Sequence, residues 1–420
     1  MPGPFPSKSV VLIPSDGADG ILPQTEAMRV NAAASNSPSK VWGVDASGAH
    51  VQATLADLAS TSKGFARINL RRWQKAAALV RAGAARTRLV CIGDSKTQGF
   101  GAGSNLAGAG ASAGASPKSW PDLLAGMLTA RGLPASRDSC FGNKGLAAYS
   151  DFAAYDPRNT GGSTGWGYAY VTLGGYGWQN STNSNPRSFQ PAGQVDTVEI
   201  YSRGQANSRV FTVTLDADPT VIGTYDLVSA TEVIVKNTPT FTLGAHKINI
   251  QRTSGQGVTT LGLIAYNSAA PAVDVINAGW RGSVSADHAA PSNPLSAINM
   301  LAAISPGLVV IQIGTNDLNT SVTAATYKAN VEQLIVAAQA AGADVLLMYP
   351  TVGSPGYGSA ALRAAYRQAL IDLGSAYGCE VIDAEQEFNG YSSNLFYDSV
   401  HENYAGNQYL AAAVASRVLV

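Results

Sequence analysis

Charge is scarce in this chain. Only 13% of its 420 residues are Asp, Glu, Lys or Arg, and 28 basic residues are matched by 28 acidic ones. A protein that neutralises nucleic-acid phosphates or an anionic membrane carries a basic surplus, so neither partner is expected. A neutral partner such as a glycan fits better. Cysteine is almost missing: Cys91, Cys140 and Cys379 are an odd, sparse set, which argues against a disulfide framework. Cys91 and Cys379 lie in apolar runs and read as small buried hydrophobes, while Cys140 lies near loop sequence. No run of 18 apolar residues occurs, so no spanning helix is expected. The start, MPGPFPSKSVVLIPSDG, lacks an apolar core of signal-peptide length, and Pro2, Pro4 and Pro6 would break one. Histidine is limited to His50, His246, His288 and His401, and no metal-ligand cluster is visible. Neither a metal nor a cofactor is expected.

Hydrophobic residues make up 45% of the chain, enough for sizeable cores, and the length suits two or three domains. Residues 1–65 carry several prolines and no βα alternation, and read as an arm or small attachment module. From residue 66 the pattern changes. An Ala-rich helix at 75–85 precedes the apolar run 88–92, a buried parallel strand by its composition. Helical sequence follows at 120–131. Residues 151–270 show alternating segments at 168–173, 195–201, 210–215, 232–236, 247–251 and 259–265, punctuated by Asn, Gly, Pro and Asp. Strands at that spacing without helices predict an inserted β-sandwich. Beyond 271, strands at 273–277, 308–313, 344–348 and 380–383 alternate with helices at 294–304, 324–341, 359–377 and 404–418. Asn293 is the expected cap of the first of these helices. Residues 66–150 and 271–420 thus predict one α/β domain with a parallel sheet covered on both faces. Sites in such sheets form at the carboxyl ends of the strands.

Four short blocks stand at such places. Gly93-Asp94-Ser95 follows the first strand, where a tight turn projects a serine hydroxyl above the sheet. Asn277-Ala-Gly279-Trp280-Arg-Gly282 follows the second, and a glycine there lets a backbone amide approach a ligand. Gly314-Thr315-Asn316-Asp317 follows the third and offers a side-chain amide. Asp398-Ser-Val-His401 precedes the closing helix. A spacing of three lets Asp398 hold one nitrogen of His401 and leave the other as a base. His288, in SADHAAPS, reads as an exposed loop histidine, and His50 and His246 lie outside the α/β segments. The run Gly110-Ala-Ser112-Ala-Gly114 has the letters of a nucleophile elbow. It sits inside the Gly/Ala/Ser stretch 101–117 without a strand before it, and is set aside.

In that order, GDS, N-x-G-x-x-G, GTND and D-x-x-H resemble the blocks of the SGNH, or GDSL-like, hydrolases. The resemblance covers about 86–135 and 273–420. It implies a flavodoxin-like parallel sheet and a serine esterase. Ser95 would be its nucleophile and Asp398 and His401 the rest of its triad. Gly279 and Asn316 would be oxyanion donors beside the Ser95 amide. Phe141-Gly142-Asn143-Lys144-Gly145 also offers Asn and Gly, but Gly279 follows a strand and carries the block's spacing. The β-rich insertion resembles that of a subset of these proteins, bacterial and phage carbohydrate esterases among them. The expected activity is removal of a short acyl group, acetyl above all, from a polysaccharide. Asp94, Trp280 and the Tyr349-Pro350 pair are the expected substrate contacts, and the aromatic segment GWGYAYVTLGGYGW (165–178) suits carbohydrate. A glycan-binding attachment protein with an inert hydrolase domain, and a lipase or thioesterase, are the competing readings. Low charge and the arm at 1–65 resemble extracellular or phage tail-associated proteins, and a homo-oligomer is compatible with them.

Overall fold

The strand Thr87–Gly93 sends its two faces into two different cores. Val90 and Ile92 enter one apolar cluster, Leu89 and Cys91 the other. Leu308–Gln312 divides likewise into Val309 and Ile311 against Leu308 and Val310. Asp344–Tyr349 divides into Val345 and Leu347 against Leu346 and Met348. Successive side chains on a strand point to opposite faces. An almost uninterrupted apolar run is therefore what a parallel strand covered on both sides requires.

In this computed structural model these strands form a six-stranded sheet. Its order is Glu380–Asp383, Asp344–Tyr349, Leu308–Gln312, Thr87–Gly93, Val273–Gly279, Ala135–Ser136, and every pairing is parallel. Helices Arg71–Arg81, Trp120–Ala130 and Tyr404–Val418 bury Trp73, Leu124 and Leu410 on the Leu89 face. Helices Ala297–Ile304, Ala324–Ala340 and Ala360–Tyr377 bury Leu301, Leu334 and Leu370 on the other. This is the flavodoxin-like architecture expected from the sequence. The structure describes residues 9–13, 27–31, 40–44, 50–54, 69–103, 113–162, 165–182, 185–351, 353 and 358–419.

The chain divides into two compact units, residues 1–69 and 70–420. In the first, Ser9–Ile13, Ala27–Asn31, Lys40–Val44 and His50–Thr54 form a four-stranded sheet in sequence order. Each strand is five residues long.

In the second unit, two antiparallel sheets are inserted before Val273–Gly279. One runs Val233–Asn237, Val195–Gly204, Val258–Tyr266, Gly175–Asn180, Trp166–Thr172, and Ser139–Phe141 joins it by pairing with Val258–Tyr266. The other runs Val221–Asp226, Arg209–Leu215, Ile248–Gly255, Arg187–Phe189, Asn159–Gly161. Trp178, Val198 and Ile200 from the first sheet share one core with Phe211, Val213 and Ile250 from the second. On its outer side the first sheet sends Phe141, Tyr201 and Leu261 into the cluster of Val90, Ile92 and Ile276. Arg88 Nη2 also meets Glu199 Oε1 at 2.6 Å.

Some local expectations differ. The third α/β helix begins at Ala297, not 294, because Asn293 forms a turn instead: its Oδ1 accepts from Leu295 N and its Nδ2 donates to the Val171 carbonyl. A helix at Tyr149–Tyr155, unread in the sequence, has only seven residues, with Tyr149, Phe152 and Tyr155 buried at a spacing of three. Cys140 is buried, donating to Asn159 Oδ1 and accepting from Arg187. No helix among the described residues is long and apolar enough to cross a membrane.

Candidate active site

Ser95 opens a four-residue helical turn, Ser95–Gln98, at the carboxyl end of Thr87–Gly93. Asp94 caps that turn: its Oδ1 accepts the Lys96 amide at 2.9 Å. The turn is fixed from below by Gln312, whose Oε1 accepts from both Thr97 Oγ1 and Trp120 Nε1 at 2.8 Å. Tyr155 of the insertion donates its hydroxyl to the Gln98 carbonyl. Ser95 is therefore held on a braced turn, with its own amide unused by the helix it starts.

The loop before Tyr404–Val418 brings His401 to it. Ser95 Oγ and His401 Nε2 lie 2.9 Å apart, and His401 Nδ1 lies 2.8 Å from Asp398 Oδ2. With Nδ1–H given to Asp398, Nε2 is left to accept the Ser95 hydroxyl proton. Burial alone would raise the Asp398 pKa. The His401 ring and the amides of Val400 and His401 all donate to this carboxylate and hold it at about 2. It is therefore charged at neutral pH, where it holds the imidazole. The Phe100 ring packs against the imidazole, with centroids 4.6 Å apart.

On the other side of Ser95 the expected donors divide. Asn316 Nδ2 donates to the Ser283 carbonyl at 2.9 Å, which sets its amide against the Gly282 turn. Gly279 does not serve as expected. It ends the strand, its amide is taken by Asn277 Oδ1 at 2.9 Å, and a side chain there would run into the Gln98 amide and the Thr97 carbonyl. It is glycine because the nucleophile turn crosses it. Gly282, three residues on, is exposed, has φ +82 and donates its amide to no atom among the described residues. The last glycine of N-x-G-x-x-G, not the middle one, is thus free to hold an oxyanion beside Asn316.

Two further expectations are corrected. His288 is not an exposed loop histidine but is 1% exposed. Its Nε2 meets Ser283 Oγ at 2.9 Å, Ser283 Oγ donates to the Trp280 carbonyl, and burial pushes its pKa down to about 4. It supports the Gly282 turn from behind. Asp94 is wholly buried and Tyr349 is 1% exposed beneath the Arg367 guanidinium, so neither reaches a substrate. Pro350 is buried as well. The segment after them does border the site, through Thr351, which hydrogen-bonds Glu402 and Lys96. The remainder of that segment, 352 and 354–357, and Gly110 and Ser112 of the rejected elbow lie outside the described residues.

Trp280, the remaining expected contact, is 8% exposed. It lines a cleft of about 290 Å³ beside the Gly282 turn, with Tyr168 and Tyr176 from the insertion, Asn143, Arg281 and Asp287. Asn143, weighed in the sequence as a rival donor, is spent on its own turn: Oδ1 accepts from Gly145 N and Tyr176 N, and Nδ2 donates to the Leu146 carbonyl. Nothing in the sequence alone marks Phe100, Arg281 or the Lys96–Glu402 pair, since each depends on a long-range contact. Among the described residues no group of three His, Cys, Asp or Glu converges as a metal site.

The sheet order, with a serine at the carboxyl end of the strand Thr87–Gly93, is an SGNH hydrolase-like fold. Residues 253–409 match the GDSL-like Lipase/Acylhydrolase family. A search of the curated proteins finds no significant match. Among solved structures, a peptidoglycan O-acetylesterase shares the fold at TM-score 0.60 and 15% identity, over 83% of this chain and 95% of that one. An acetylxylan esterase from Geobacillus stearothermophilus aligns at 22% identity and TM-score 0.31, over 35% of this chain and 73% of that one. A lipase/acylhydrolase from Enterococcus faecalis aligns at 24% identity and TM-score 0.31, over 35% and 76%.

Proposed function

We propose that the protein is a serine esterase that removes short acyl groups, acetyl above all, from a polysaccharide. The observation that carries this reading is the 2.9 Å contact between Ser95 Oγ and a His401 whose other nitrogen is held by Asp398. His401 Nε2 takes the Ser95 proton as Oγ bonds to the ester carbonyl carbon. The carbonyl oxygen becomes an oxyanion held by the amides of Ser95 and Gly282 and by Asn316 Nδ2. Collapse expels the sugar oxygen, which takes the proton back from His401. A water, deprotonated by the same ring, then attacks the acyl-serine and releases the carboxylic acid. The polar and aromatic cleft beside the site supports a sugar rather than a long acyl chain, which needs an apolar trough. The similar peptidoglycan O-acetylesterase fold is in keeping with this.

The test is 4-nitrophenyl acetate hydrolysis by the wild type and Ser95→Ala. Turnover is expected to fall by roughly 10⁴-fold or more, and equal rates would sink the nucleophile. A series of esters should peak at short chains, and a peak at long ones would favour a lipase.

A further inference from the structure

We propose that the cleft beside Gly282 is a glycan subsite that selects a carboxylate-bearing sugar, with Arg281 as the group that reads the charge. The proposal rests on the esterase reading above and names the substrate class of that same site. Arg281 is exposed, and its guanidinium lies 4.4 Å from the Phe100 ring centroid. That same ring packs on His401. The cation is thus held one aromatic ring away from the reacting imidazole. Its backbone is fixed too, the Arg281 amide donating to the Lys144 carbonyl. No carboxylate of the described residues pairs with it, whereas Arg86, Arg88, Arg158 and Arg367 are all neutralised by ion pairs. The cleft's own carboxylate, Asp287, is turned to the backbone, its Oδ2 accepting the Val284 amide at 2.8 Å. A guanidinium already braced on a ring loses little freedom on binding, and its planar fork matches a carboxylate.

The rest of the wall suits a sugar ring. Tyr168, Tyr176 and Trp280 form an edge-to-face series, with centroids 5.4 and 5.5 Å apart. Tyr168, at its outer end, is 51% exposed. Such a large exposed aromatic, continuous with a cleft, offers a flat apolar face to the C–H side of a pyranose. The tyrosines come from the hairpin Trp166–Thr172/Gly175–Asn180 and Arg281 from the α/β domain. Asn143 Oδ1, accepting from Tyr176 N and Gly145 N, holds the two walls in register. The inserted sheet therefore supplies the platform and the hydrolase domain supplies the charge.

Binding is measured by calorimetry on the Ser95→Ala protein, so that no ester is cleaved during titration. The probes are trigalacturonate and its fully methyl-esterified form, which share rings and linkages and differ in charge. At low ionic strength the acid should bind about tenfold more tightly than the methyl ester. Arg281→Gln in the same background should bring the two within about twofold, and Arg281→Lys should recover part of the gap. Tyr168→Ala should weaken both probes together. Equal affinity of the two probes, binding of neither, a gap that survives Arg281→Gln, or indifference to Tyr168→Ala would each overturn the subsite. None of these results depends on turnover, so a failed esterase reading would show separately, as hydrolysis indifferent to Ser95→Ala.

Discussion

Lys96 Nζ lies 2.8 Å from Glu402 Oε1, and the two side chains are 0% and 1% exposed. One residue follows Ser95 and the other follows His401, so this buried ion pair is the direct chain neighbour of both. The ammonium also donates to Thr351 Oγ1 at 3.0 Å and to the Val400 carbonyl, just before His401. All three of its protons are spent on residues around the histidine loop. Two desolvated ions cost several kcal/mol each, and such pairs are often no more stabilising than apolar residues of similar size. What this pair does is fix the 398–402 loop onto the nucleophile turn, leaving the imidazole one position against Oγ.

Lys96→Met should therefore destabilise the protein by about 3–5 kcal/mol, because it leaves the Glu402 carboxylate buried without its cation. Adding Glu402→Leu should restore much of that loss in denaturant titration. Hydrolysis of 4-nitrophenyl acetate should stay depressed in the double variant, through kcat more than KM, because the ionic tie between the histidine loop and the nucleophile turn is gone. A double variant with full turnover would show that the pair contributes to folding alone.

The two glycines of the second block separate by experiment. Asn316→Ala should lower kcat by about 10²–10³ with little change in KM, the usual cost of losing one oxyanion donor. Gly279→Ala should instead appear as loss of stability, since its methyl group would meet the backbone of Thr97 and Gln98. Gly282→Ala should combine both effects, from the strained φ of +82 and a displaced amide. A Gly279→Ala protein of normal stability that has lost turnover would return the oxyanion role to that residue.

The α/β sheet was legible because its strands carry unbroken apolar runs and its helices end at punctuating glycines such as Gly342 and Gly378. The four blocks were legible because each stands at a strand end or before a helix. What misled was local similarity of environment. Gly279 and Gly282 are both glycines in one motif, and long-range or local contacts invisible in the sequence tell them apart: the Gln98 backbone crosses Gly279, and Asn277 Oδ1 takes its amide. Asp94 reads in the sequence as a substrate contact but is sealed by the turn it caps. His288 sits among Ser, Ala and Asp, as a surface loop would, yet the short helix Ser285–His288 turns it inward onto Ser283. Arg281 carries no sequence pattern, because its setting is made by Phe100, over 180 positions earlier.

His288 also sets a pH dependence. Its pKa is pushed down to about 4 by burial, against about 6.5 in an unfolded chain. Between those values the unfolded state binds the extra proton and the folded state does not, so stability rises with pH across that window. The contribution is whole above about pH 6.5 and is lost as pH falls towards 4, amounting to ~3 kcal/mol from this one group. Urea unfolding at several pH values should show that slope, and His288→Gln should remove it while lowering stability at neutral pH. Turnover should fall in the same acid window, because a proton added at the buried Nδ1, which meets no acceptor, puts an uncompensated charge behind the turn that carries Gly282. A His288→Gln protein with the wild-type pH slope would mean that the histidine opens to solvent and titrates normally.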